Sequence, residues 1–368
     1  MERDPRNFGT GHDDGLEPLV PLDVGRLDSV DALLGAMANT AFGGRRLGEA
    51  AAALEEMVRD ESCFRVVTIS GAMTIAKQGL VLCEMIDRGW VQAVVATGAL
   101  MTHGFVEGAG LLHFKHRPGM KDEELFQKGY NRVYDTIELE RNLDDTEQML
   151  SRVLAGVEPG TKLCSHDLLA RMGRFLEEHD AGRAVLRSAV ARNVPVYVPA
   201  FSDSELGLDF AIHNRRRLMR GEQPFGFDPF LDLEHFADHV RQHDRLGIFT
   251  IGGGVPRNWA QQVSPYLEIS ADRLGIDEPM RRYRYAIRIC PEPEHWGGLS
   301  GCSYTEGVSW GKFVPASEGG RHVEVHADAT IAWPILVRAV IERLEAKPSA
   351  GRPSGDPSAG RRSSGGSR

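Results

Sequence analysis

Arg65-Val-Val-Thr-Ile-Ser70-Gly71, followed after a helical stretch by Gln92-Ala-Val-Val-Ala-Thr97-Gly98, is the passage from which the architecture can be read. Each half is a short β-branched run that stops at a glycine, as buried strands do. Between them Ala76, Leu80, Cys83 and Ile86 recur at helix spacing, and Gly89 stops the helix. Strand, glycine, helix, strand, glycine is the rhythm of a parallel sheet whose helices start at the carboxyl ends of its strands. Ligands of such sheets occupy the crevice beyond those ends. Ser70, Gly71, Thr97 and Gly98 are therefore pocket residues by position, although the same residue types also make ordinary buried turns.

Working outward, the pattern returns. Leu246-Gly-Ile-Phe-Thr-Ile251 ends in Gly252-Gly253-Gly254, and Pro256 suits the first turn of the helix that follows. Those glycines thus face a helix N-terminus, an arrangement that binds anions. Val194-Pro-Val-Tyr-Val198 runs into Pro199-Ala200-Phe201-Ser202-Asp203, and further strands are expected over 285–289 and 322–326. Asp328 is placed to cap a helix over 331–347; other helices are expected from Leu143, over 165–178, 183–192 and 225–240. The expected fold is α/β, a Rossmann-like parallel sheet with helices on both faces. One large domain over 61–346 follows an N-terminal arm with two helices within 1–60. A Gly/Ser/Pro/Arg-rich tail, 347–368, is expected to be disordered.

Composition narrows the function. Hydrophobic residues make up 42% and charged residues 26%, ordinary for a globular protein. The five cysteines form no C-x-x-C pair, which points to free thiols in a reducing compartment. The polar start and the lack of a long apolar run predict a cytoplasmic chain without a membrane span. A net charge of −9 disfavours nucleic acid, whose phosphates need a basic footprint, and is compatible with a polycationic substrate.

The chemistry concentrates between Trp296 and Thr330: Gly297-Gly298-Leu299-Ser300-Gly301, then Glu306-Gly307-Val308-Ser309-Trp310-Gly311-Lys312, then Ala327-Asp328-Ala329-Thr330. Glycines admit backbone close to a ligand, and an indole face holds a cationic amine. A lysine partly desolvated against tryptophan loses its proton more readily and can form a Schiff base. The plain alternative is a surface lysine at a turn. Three histidines, His103, His113 and His116, lie close in sequence, but no cysteine or carboxylate completes a set at metal-ligand spacing, so no metal site is expected.

Glu306-Gly-Val-Ser-Trp-Gly-Lys312 with Ala327-Asp-Ala329 resembles the signature of the deoxyhypusine synthase family, Glu-Ala-Val-Ser-Trp-Gly-Lys and Ala-Asp-Ala-Ser. Gly129-Tyr-Asn-Arg-Val133, Pro199–Asp203 and the triple glycine 252–254 agree in the right order. The resemblance implies an NAD-dependent transferase that moves an aminobutyl group from spermidine or a related polyamine through an imine on the motif lysine. By that resemblance Lys312 carries the imine, and Trp310, Glu306, Ser300 and Asn258 meet the substrate. Ser70, Gly71, Thr97, Gly98, Asp203, Gly253, Gly254, Asp328 and Ala329 hold NAD. It also implies a homotetramer with sites at subunit interfaces.

The chain departs from the family at several points. The acids that follow Thr97-Gly98 in the family are absent, and His103 stands where an active-site glutamate is expected; it could act as acid or base or be a structural histidine. Leu208 occupies the place of a substrate-binding aspartate, with Asp209 one residue on. Asn258 replaces a histidine and can hydrogen-bond but not carry a proton. Trp296 and Leu299 replace acids of a family segment. These changes leave the acceptor open between a protein lysine and a small amine such as putrescine. A non-catalytic NAD-binding sensor or scaffold is the rival reading.

Overall fold

The computed structural model describes residues 3–179 and 182–346, so the tail expected to be disordered lies outside the described residues. Two helices come first, α1 (Val30–Met37), capped by the Ser29 hydroxyl, and α2 (Phe42–Arg59). The apolar periodicity of α2 starts only at Leu47 because its first turn buries nothing; Phe42 lies in solvent. Then follow β1 (Cys63–Ile69), α3 (Gly79–Asp87), β2 (Ala93–Ala96) and α4 (Gly98–Gly108), in the order the opening passage predicts. A small antiparallel sheet (Phe114–Lys115, Tyr130–Val133, Thr136–Leu139) carries the short helix α5 (Asp122–Gln127). After it come α6 (Glu140–Ala155), α7 (Ser165–Glu178), α8 (Val185–Ala191) and β3 (Val196–Tyr197). The chain continues through α9 (Glu205–Met219), α10 (Pro229–Arg241), β4 (Arg245–Ile251), α11 (Gly254–Gln261) and α12 (Val263–Leu274). It closes with β5 (Tyr283–Ile289), α13 (Tyr304–Val308), β6 (Arg321–Val325) and α14 (Ala329–Glu345). Strand numbers count the main sheet only.

The basic cluster 215–217, which reads as a loop, lies in α9: Arg216 pairs with Glu147, and Arg217 pairs with Glu222 and covers the Phe225 ring.

The six strands of the main sheet are ordered β3-β2-β1-β4-β5-β6, and every neighbouring pair is parallel. The winding reverses between β1 and β4, and that reversal opens a crevice at their carboxyl ends. Alternate residues face opposite cores. Val67, Ile69, Val94, Phe249, Ile251 and Ile287 pack with the helices on one side, among them α1, α2 and α14 through Leu34, Leu54 and Trp333. Phe64, Val66, Val95, Leu246 and Ile248 pack on the other, against α10, α11 and α12 through Phe236, Ala260 and Leu267. A fully buried leucine such as Leu34 contributes about 2 kcal/mol. The two N-terminal helices are thereby part of the main core. Among the described residues no helix is long and apolar enough to cross a membrane.

Candidate active site

The turns after β1 and β4 meet at the switch point. Ser70 N donates to Ile251 O (3.1 Å), Gly252 N to Ile289 O (2.8 Å), and Gly253 N to the Ser70 hydroxyl (3.0 Å). The Thr97 hydroxyl donates to Gly71 O (2.9 Å), which draws the β2 turn into the same edge. On the far side, the Gln78 amide reaches Thr330 O in the first turn of α14. Ser70, Gly71, Thr97, Gly98, Gly253, Gly254, Asp328 and Ala329 therefore line one edge of the sheet, with Asp203 exposed on the neighbouring turn after β3. Asp328 caps α14 by accepting from Thr330 N (2.7 Å). Asp203, which as an isolated residue reads as a cap, leaves that task to Ser204, whose hydroxyl accepts from Gly207 N.

The edge suits a dinucleotide. Gly71 (φ +76°) has open space where a Cβ would stand, and Gly254 (φ +62°) meets only the Ser300 hydroxyl, at 3.9 Å. Neither α4 nor α11 has a side-chain cap, so first-turn N–H groups of two helices are left for an anionic ligand.

Lys312 sits in the turn after α13. Its N–H donates to Gly307 O, its carbonyl accepts from Tyr283 N at the start of β5, and the turn is allowed by Gly311 at φ +68°. The residue is only 8% exposed, and Nζ donates to Asn258 Oδ1 at 3.2 Å. Asn258 lies four residues into α11 from Gly254, a rise of about 6 Å along the helix that the glycines open. The Trp310 ring, 64% exposed, lies 5.9 Å from Nζ, and Glu306 is exposed on α13. Burial holds the lysine below its ordinary range; the Cys302 thiol group and Glu306 oppose that, while Arg257 adds to it. The surface-turn alternative does not describe this side chain.

Two buried arginines fix the wall between the glycines and the lysine. Arg257 donates to Ser300 O (3.3 Å) and Cys302 O (2.6 Å), and Arg288 donates to the same two carbonyls at 2.6 and 2.7 Å. Both guanidinium groups lie over the Tyr304 ring. Arg288 also pairs with Glu324, whose other oxygen accepts from Tyr304 N. Sequence reasoning missed these residues, yet a signal was there. Thr68, Thr250, Arg288 and Glu324 are each the penultimate residue of their strand. The register aligns them as one polar row, Thr68–Thr250–Arg288–Glu324.

His103 goes elsewhere. It is buried in the second turn of α4, three strand steps from the strand that anchors Lys312, or roughly 14 Å across the sheet. Its Nδ1 lies 3.0 Å from Glu138 Oε2, and His113 Nε2 reaches the same oxygen at 2.5 Å. The other oxygen, Oε1, accepts from Asn142 and Leu139 N, and the Lys77 ammonium lies 2.7 Å from His113 Nδ1. Burial alone would push the Glu138 carboxyl up, but hydrogen bonds from His103, His113 and Asn142 hold it at about 2. The turn around His113 is thus tied to a buried carboxylate that sequence spacing did not reveal. Nearby on α9, burial and then Glu147 and Glu205 push Asp209 up to about 6.

A parallel sheet wound both ways from a glycine-lined switch point defines the class: a doubly wound α/β protein with its ligand crevice at that reversal. Within the class, the deoxyhypusine synthase family model matches residues 32–340. A probable deoxyhypusine synthase 2 of Methanosarcina acetivorans is 34% identical over 89% of this chain and 90% of its own. A deoxyhypusine synthase-like protein of Chlorobaculum parvum is 30% identical over 82% and 83%. The crystal structure of a putative deoxyhypusine synthase from Entamoeba histolytica shares the fold, with TM-score 0.57 over 88% of this chain and 97% of that one at 13% identity. The chain belongs to the deoxyhypusine synthase family.

Proposed function

We propose that this protein is an NAD-dependent aminoalkyl transferase. It takes an aminobutyl-type group from spermidine or a related polyamine, holds it as an imine on Lys312, and hands it to an acceptor amine. The acceptor is a protein lysine or a small amine such as putrescine. The observation that carries this reading is the shielded Lys312 nitrogen, hydrogen-bonded to Asn258 on the helix that Gly253 and Gly254 open.

When bound along the switch-point edge by Ser70, Gly71, Thr97, Gly98, Asp203, Gly253, Gly254, Asp328 and Ala329, NAD supplies a hydride acceptor and donor for the amine carbon. Burial favours the neutral form of Lys312, and only that form adds to a carbon. Asn258 orients its lone pair without competing for the proton. Trp310 offers an indole face to the aliphatic amine, and Glu306 offers a carboxylate to an ammonium. The Ser300 loop, held by Arg257 and Arg288, closes the cofactor side of the lysine.

Within one chain the acids Glu205 and Asp209 follow β3, four strand steps from β5, or roughly 19 Å. One short polyamine does not bridge that gap. The reading therefore requires a homotetramer in which a partner subunit brings such acids opposite Lys312.

Borohydride reduction in the presence of NAD and spermidine, followed by peptide mass analysis, tests it. The expected result is an aminobutyl adduct on Lys312 that Lys312→Ala abolishes while NAD still binds. Full turnover by Lys312→Ala refutes the proposal, and NAD binding with no adduct from any polyamine favours a sensor or scaffold.

A further inference from the structure

Away from that crevice, the amino end of α7 gathers a thiol, an imidazole and a carboxylate. Cys164, which precedes the helix, is 4% exposed, and Asp232 on α10 is 2% exposed. His166 Nδ1 lies 3.3 Å from Cys164 Sγ and 2.9 Å from Asp232 Oδ1. Asp232 also accepts from the N–H groups of Ser165 and His166, both at 3.0 Å, so its position is fixed by the helix it caps. A nucleophilic Cys–His–Asp relay needs the thiol and the carboxylate on opposite ring nitrogens. Here both face the same one, and a single nitrogen cannot serve as the relay between them. What remains is three metal-ligating atoms converging on one point.

From this geometry we infer that Cys164, His166 and Asp232 form a site for a late first-row divalent cation, zinc above all. Thiolate, imidazole and carboxylate together are a zinc donor set. Around a tetrahedral zinc, with bonds of about 2.0–2.3 Å, such atoms stand roughly 3.3–3.6 Å apart. The distances present fall short of that by a few tenths of an ångström, so the ion needs only a slight spreading of the side chains. Binding balances simply. The cation takes the thiolate sulfur, the thiol proton leaves to solvent, and the ring proton of His166 moves from Nδ1 to the other nitrogen.

A cavity adjoins the ring of His166. That cavity, about 230 Å³, is lined by His166 together with His235 and His239. His235 stacks on His166 at 3.9 Å, and its Nδ1 lies 2.8 Å from the Tyr197 hydroxyl, which holds the ring in place. Three protein ligands leave one position of a tetrahedral zinc to water or a small ligand. The other buried cluster, His103–His113–Glu138, differs. The Lys77 ammonium lies 2.7 Å from its His113, a cation already standing beside the place an ion would take.

The test uses the full chain, stripped with chelator and titrated with Co²⁺ alone. The expected result is one equivalent bound, with thiolate-to-cobalt charge-transfer absorption, displacement by Zn²⁺, and release of one thiol proton in weak buffer. Cys164→Ser removes the absorption band and weakens binding by at least about 100-fold, whereas Cys302→Ser keeps both. If Cys164→Ser loses its fold by circular dichroism, His166→Gln is read in the same way. Absence of the band in the wild type, or its survival in a folded Cys164→Ser or His166→Gln variant, overturns the site. NAD binding and polyamine trapping by the same samples report separately on the proposed transferase reading.

Discussion

Replacing Glu138 by glutamine removes the charge that two histidines share. The carboxyl is 1% exposed, and His103, His113 and Asn142 hold its pKa at about 2 against an ordinary 4.5. That gap corresponds to about 3 kcal/mol of folding free energy. The sign follows from the depression: the stabilisation is fully present above pH 4.5 and is lost as the pH falls towards 2. About 2 kcal/mol of it is gone by pH 3. Glu138→Gln therefore destabilises the protein at pH 7 by up to about 3 kcal/mol, and the difference from wild type narrows on acidification. Urea unfolding of both proteins at pH 7, 5 and 3, followed by tryptophan fluorescence, measures it. Parallel losses in the two proteins across that range would falsify the assignment, because the stabilisation would then not reside in this carboxylate.

Asn258→Asp places a carboxylate 3.2 Å from Nζ, which favours the protonated lysine. The rate of adduct trapping in the wild type rises with pH through a midpoint below the ordinary lysine value of 10.5, because burial depresses Lys312; in the variant the rise moves to higher pH. An unchanged profile counts against Lys312 as the group that must be neutral. Gly253→Ala puts a Cβ 2.6 Å from Ser300 Cα, and the backbone there is extended (φ 174°), so the conflict is steric alone. With the loop pinned by Arg257 and Arg288, overpacking of about 1–3 kcal/mol is expected. It should appear as weaker NAD binding by calorimetry, and wild-type affinity would show the loop to be compliant.

The sheet was legible because β1, β2 and β4 are largely apolar runs that stop at glycines, and both features act over a few residues. The helix over 165–178 and the Asp328 cap were legible for the same reason. The Lys312 neighbourhood came from one local motif. What stayed hidden depends on distant pairings. Glu138 meets His103 across 35 residues, and Asp232 meets His166 across 66. Neither has a spacing that marks it. The polar row lies between these cases: its members are visible strand by strand, but only the register aligns them. The first turn of α2 stayed silent because it faces solvent.

The way Arg257 and Arg288 hold the loop has an evolutionary corollary. Their bonds to the loop end on the carbonyls of Ser300 and Cys302, which every amino acid supplies, and not on its side chains. Substitution at the exposed positions Trp296 and Leu299 can therefore repaint the surface of the loop while the path of the main chain stays put. Trp296 and Leu299, standing where the family pattern carries acids, are residues that such a scaffold tolerates. Under the proposed function, new donor or acceptor preferences can be tried there without rebuilding the lysine's surroundings.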